Sequence, residues 1–113
     1  MVAGDIYLAN FPFGGAPGMK LRPVLLLTGR IGTIPEVLAA YISSVQPVAL
    51  LASDIVIDPK QAEHAGTRLK TTSVLRLHKL ATIHERSVVR YLGTISTSTS
   101  TEVAAKLRTL LNV

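Results

Sequence analysis

Cysteine is absent from this 113-residue chain. Disulfides, thiolate zinc sites and cysteine nucleophiles are therefore excluded, which fits a reducing, cytoplasmic setting. Aromatic residues make up only 4%, too few for a platform on which several splayed bases stack. Long apolar runs are also missing; none approaches the ~20 residues that a membrane-spanning helix needs. Met1-Val2-Ala3-Gly4-Asp5 carries neither the basic segment nor the apolar core of a signal peptide. The expectation is a soluble, cytoplasmic protein with no membrane partner. Acidic residues are scarce too: seven Asp and Glu stand against twelve Lys and Arg. That balance favours a polyanion as partner over an acidic or neutral surface.

What is present is enough for one domain, residues 1–113, with 48% hydrophobic residues. A chain of this length buries roughly two thirds of its unfolded surface. Residues 4–11 alternate with Ile6 and Leu8 on one face, the period of a half-buried first strand. Pro12 ends it. A Gly/Pro loop follows (Gly14, Gly15, Pro17, Gly18), then Lys20-Leu21-Arg22-Pro23 and the apolar run Val24-Leu25-Leu26-Leu27. Pro23 disfavours the helical region for Arg22 and is tolerated where a strand begins. The non-alternating run reads as a strand covered on both faces, over about residues 21–28. The loop glycines allow close backbone approach to a ligand, so this stretch offers a fixed cation beside a loop that closes on an anion.

Residues 37–44 carry alanines that also suit a helix, but the segment is short, apolar and ends Tyr41-Ile42-Ser43-Ser44, which favours a strand. Asp54-Ile55-Val56-Ile57-Asp58 reads as a short strand, and residues 59–68 as a loop or single helical turn. Alternation over residues 73–78 sets Leu75 and Leu77 on one face and Val74, Arg76 and His78 on the other. Residues 87–95 form the last strand candidate, interrupted at Gly93. The Ser/Thr run 96–101 then leads into a helix, with Thr99 as N-cap and Glu102 completing a capping box. Val103, Leu107, Leu110 and Leu111 form its apolar stripe, expected to pack on the core. Five or six short strands and a terminal helix imply a mainly β fold, a small antiparallel sheet curled as an SH3-like barrel.

Gly4-Asp5-Ile6-Tyr7, Phe11-Pro12-Phe13 and Lys20-Leu21-Arg22-Pro23-Val24-Leu25-Leu26 resemble the opening of the MazF/PemK family of toxin endoribonucleases. Tyr41-Ile42-Ser43-Ser44 is similar to that family's Ile-Thr-Ser segment. Residues 73–84, from Ser73-Val74-Leu75-Arg76-Leu77-His78 to Thr82-Ile83-His84, resemble its Arg-Leu-Asp…Thr-Ile-Asp segment. Leu92-Gly93-Thr94-Ile95 matches its C-terminal end. The similarity runs in order along nearly the whole chain.

The resemblance implies a homodimeric SH3-like barrel that cleaves single-stranded RNA without a metal or cofactor. It also implies a cognate antitoxin whose C-terminal segment occupies the RNA groove. The family's functional arginine falls on Arg22 and its hydroxyl residue on Ser43. The catalytic arginine and aspartate of the PemK branch fall on Arg76 and His78. Both aspartates of that segment are thus replaced, by His78 and His84.

Metal-free RNA cleavage needs a base for the 2′-hydroxyl, a cation for the phosphorane and an acid for the departing 5′-oxygen. Arg22 and Arg76 suit the cation role, because guanidinium binds phosphate through two parallel hydrogen bonds. His78 suits proton transfer, because imidazole is the side chain type that exchanges a proton near neutrality, and Ser43 suits hydrogen bonding to the phosphate or 2′-oxygen. The products would be a 2′,3′-cyclic phosphate and a 5′-hydroxyl. Lys20, Ser44, Thr72, Ser73 and Lys79 are the candidate RNA contacts, though Thr72 and Ser73 equally fit a strand terminus. The RNA sequence preference is expected to lie in residues 13–20 and 47–53. Two other functions stay open: a protein-binding toxin on the same fold, such as a topoisomerase poison, and a degenerate relative that binds RNA or antitoxin without cutting. The dimer is also expected because a small barrel alone leaves residues 24–27 uncovered. Histidine spacing matches no metal site.

Overall fold

A computed structural model describes residues 1–12 and 20–113. Phe13 and the glycine-rich loop expected to close on a ligand lie outside the described residues. Six strands, β1 (Asp5–Phe11), β2 (Lys20–Leu26), β3 (Glu36–Ser43), β4 (Asp54–Ile57), β5 (Ser73–His84) and β6 (Val88–Thr94), precede a helix, α1 (Thr97–Leu111). Two 3₁₀ turns, Ala62–Thr67 and Glu85–Ser87, flank β5. The strands form one antiparallel sheet in the order β4-β5-β3-β2-β1-β6. The edges β4 and β6 do not pair with each other, so the sheet is barrel-like but open.

The sheet is covered on both sides. Ile6, Leu25, Ala40, Ile42, Leu75 and Leu77 pack on one face with Val103 of α1. Ala9, Phe11, Val24, Leu26, Val37, Ala39 and Tyr41 pack on the other, where the Phe11 and Tyr41 rings stack 5.7 Å apart. This double coverage explains why β2 and β3 lack alternation. It also makes a strand of the alanine-rich β3, because Ala39 and Ala40 are the thin central rows between two cores.

Several expectations are corrected. Pro23 lies inside β2, opposite Leu8 of β1, and β2 pairs with β3 only from Val24 onward. Pro23 has no N–H to give a ladder, so it is tolerated where β2 has one neighbour. The N-cap of α1 is Ser96, not Thr99: the Ser96 hydroxyl accepts the Thr99 N–H at 3.1 Å. Leu110 and Leu111 are exposed, so only Val103 and Leu107 of the expected stripe reach the core. Val24, Leu25 and Leu26 are fully buried within one chain, so this strand needs no second copy to cover it.

One local fit sets the position of the segment after β4. Gly93 of β6 lies against the backbone of the 62–67 turn, where a Cβ would come within 2.6 Å of the Thr67 carbonyl oxygen and closer still to that of Gly66. The missing side chain lets the turn sit flush on β6.

Candidate nucleic-acid interface

β2 and β3 run together at Val24 and Tyr41 and part beyond them. A cleft of about 300 Å³ opens at this parting. Arg22 and Pro23 of β2, Ile42 at the end of β3, and Ser44 just past it line one part. Arg68, Leu69, Lys70 and Thr71 line another, with Ser73 of β5 beside them. Leu8 of β1 and Arg90 and Leu92 of β6 complete it. Four cationic residues therefore contribute to the lining, with no carboxylate among the described lining residues. Such a wall attracts phosphate. A second hollow of about 320 Å³, beside Ala52 and Leu110, contains only Lys106, whose ammonium is already held by the Ala52 and Asp54 carbonyls.

Arg22 is half-buried, and its Nε is buried with no hydrogen-bond partner among the described residues. An unmet buried donor is costly and marks a place for an acceptor. Arg68 is set by the turn before it: it takes the left-handed conformation (φ 54°), and its N–H bonds the Ala65 carbonyl at 3.2 Å. The Ser73 hydroxyl donates to the Thr71 carbonyl at 2.9 Å, tying the 68–71 segment to β5.

Of the residues singled out from the sequence, Arg22, Ser44 and Ser73 line this cleft. The others lie outside its lining. Lys20 is exposed at the start of β2. Ser43 is buried; its hydroxyl accepts the Val45 N–H at 3.1 Å and donates to the Val45 carbonyl at 3.2 Å. Arg76 donates from Nε to the Asp54 carboxylate at 2.8 Å. By strand register Arg22, Ser43 and Arg76 belong to one face of the sheet, and Ser73 to the opposite face. Tyr41 pairs with Arg76 while its neighbour Ala40 pairs with Leu80, so Leu77, His78 and Lys79 bulge out of the β3–β5 ladder. His78 is exposed on that bulge, and no hydrogen bond or ion pair holds it among the described residues. The Lys79 ammonium lies 5.4 Å from the centre of the Tyr41 ring. Thr72 offers its carbonyl to Gln46 at 3.5 Å. His84 is structural: its Nδ1 accepts the Arg86 N–H at 3.0 Å.

Sequence reasoning missed Arg68, Lys70 and Arg90. The available signal was a pair of cations two residues apart just ahead of a strand already suspected. Among the described residues no group of three or more His, Asp or Glu is placed to hold a metal ion. No helix among them is long and apolar enough to cross a membrane.

The sequence profile of the PemK-like, MazF-like toxins of type II toxin–antitoxin systems matches residues 3–111. The chain belongs to this family. Curated protein sequences contain no match to it. Solved MazF-like structures share its fold. A mycobacterial endoribonuclease in complex with its cognate antitoxin superposes with a TM-score of 0.74 at 16% identity, covering 100% of this chain and 96% of that one. A mycobacterial endoribonuclease gives 0.73 at 16% identity, covering 100% and 92%. Mycobacterium tuberculosis toxin MazF-mt6 gives 0.74 at 22% identity, covering 96% and 97%. The MazF-like family thus accounts for the open barrel, the terminal helix and the order of the motifs.

Proposed function

We propose that this MazF-like toxin is an endoribonuclease that cuts single-stranded RNA without a metal ion, leaving a 2′,3′-cyclic phosphate and a 5′-hydroxyl. The observation that carries the reading is the cleft at the parting of β2 and β3, whose described lining holds Arg22, Arg68, Lys70 and Arg90 and no carboxylate. Arg22 is assigned the phosphorane charge, which its planar fork suits. His78 is assigned proton transfer: it is exposed and uncommitted, and imidazole titrates near neutrality. Arg76, oriented by Asp54, is assigned to a neighbouring phosphate. Ser43 is assigned to shaping the turn that presents Ser44, since its own hydroxyl is spent on Val45.

In this reading the partners are RNA, a cognate antitoxin whose C-terminal segment covers the same cations, and a second copy of the chain. The family membership and the antitoxin complex of a structural relative support the second. The exposed Val45, Val48, Leu50 and Leu51 offer apolar surface for the third. A second reading, a toxin that binds RNA or antitoxin without cutting, is favoured by His78 lying outside the cleft lining.

Incubation of the purified protein with single-stranded RNA in EDTA decides between them. The proposal expects cleavage that falls by about 10²–10³ in Arg22→Ala, the scale of one lost transition-state donor. RNA retention without cleavage would support the second reading. Sedimentation at micromolar concentration tests the dimer, and a monomer there removes it.

A further inference from the structure

We infer that the cleft is a pocket for a single nucleotide of the RNA, and that Ser44 with the 68–71 segment reads its base. This rests on the endoribonuclease reading and goes beyond it. It places part of the sequence selectivity in a segment outside residues 13–20 and 47–53.

Size is the first ground. About 300 Å³ lies at the lower end of small-molecule sites, room for one nucleotide and not for a stacked run. The second ground is the division of the walls by chemistry. Leu8, Pro23 and Leu92 are half-buried and, over the buried Ile42 and Leu69, form an apolar surface suited to the faces of a base. Arg68, Lys70 and Arg90 supply charge for the phosphates on either side. No aromatic ring lines the cleft among the described residues, where the base is held by apolar contact and by its polar edge. The third ground is an uncommitted polar group. Ser44 is exposed, and its hydroxyl makes no hydrogen bond among the described residues, unlike that of Ser73. A hydroxyl both donates and accepts, so Ser44 can pair with a base edge.

The pocket is also preorganised. The 62–67 turn sits flush on Gly93, and Arg68 leaves it in a fixed left-handed conformation. The occupant is therefore a nucleotide with phosphates on both sides, as inside an RNA strand.

The experiment maps cleavage ends on a randomised single-stranded RNA pool for the wild type, Ser44→Ala and Thr71→Val. The expected result is a base preference at one position next to the cut. Each variant should flatten that preference by on the order of fivefold, the scale of one hydrogen bond. An unchanged preference in both variants overturns the pocket. A wild type that does not cut overturns the endoribonuclease reading instead. In that event the pocket is judged by titrating the four nucleoside 5′-monophosphates against the amide resonances of Ser44 and Leu69. A shift common to both residues and strongest for one nucleotide supports it, and no shift overturns it.

Discussion

Asp54 and Arg76 face each other in register across β4 and β5, and the Asp54 Oδ1 accepts a hydrogen bond from Arg76 Nε at 2.8 Å. The carboxylate is fully buried and the guanidinium side chain only 16% exposed. The second carboxylate oxygen accepts the Leu51 N–H at 2.8 Å, so the loop after β3 is anchored by the same group. Removing one partner of such a pair strands the other charge. Asp54→Ala is expected to lose about 3 kcal/mol of stability, with Asp54→Asn losing less because it keeps the shape and one acceptor. Urea unfolding midpoints measure both. An Asp54→Ala midpoint equal to wild type would show that the pair adds nothing to the fold.

Gly93→Ala tests the contact between β6 and the turn that precedes the cleft. The added methyl meets the carbonyls of Gly66 and Thr67, which are backbone and cannot rotate away. Overpacking of this kind costs about 1–3 kcal/mol. The turn should shift, moving Arg68 and Lys70 with it. RNA affinity is therefore expected to fall alongside thermal stability. Stability lost with affinity intact would separate the turn from the binding surface.

These two sites also show where sequence reasoning stops. Alternation in β1, double-sided burial in β2 and β3, and the Ser/Thr run before α1 are local patterns, and the elements follow from them. The bulge at Leu77, His78 and Lys79 carries no glycine or proline to announce it; it shows only in the register of β5 on β3. The capping-box spacing points to Thr99, yet the helix starts directly after β6 with Ser96 as its cap. Arg22 was legible because Pro23 and an apolar run follow it. Arg68, Lys70 and Arg90 were not, since the pairing of β6 with β1 and the close packing of the 62–67 turn on Gly93 bring them to the cleft.

Arg30 and Glu85 join the turn after β2 to the turn after β5, with Arg30 Nε donating to the Glu85 Oε1 at 2.7 Å. This hydrogen bond, with the charge of Arg30, holds the Glu85 carboxyl below its ordinary value. Whatever the pair contributes is complete above the ordinary carboxylate pKa and is lost as pH falls through the depressed one. The pair is exposed, so the effect on overall stability should be small and screened by salt. The expected observation is a Glu85 carboxyl resonance that titrates below the normal range, returning toward it in Arg30→Gln. Titration at the ordinary value in wild type would show that the pair is open in solution.

His78 stands where the PemK pattern has an aspartate, two residues beyond Arg76 on the β5 bulge. If it moves the proton of the 2′-hydroxyl, the rate must follow its ionisation and show a pH-dependent limb. His78→Ala should then reduce kcat by about 10²–10⁴ and remove that limb while leaving KM close to wild type. His78→Asp should restore part of the rate and move the limb to lower pH, because a carboxylate ionises about two units lower. A residue that only supports the bulge gives a different pattern: rate and stability fall together, and the limb stays where it was. Rates that match wild type in His78→Ala across the whole pH range would take the imidazole out of the chemistry.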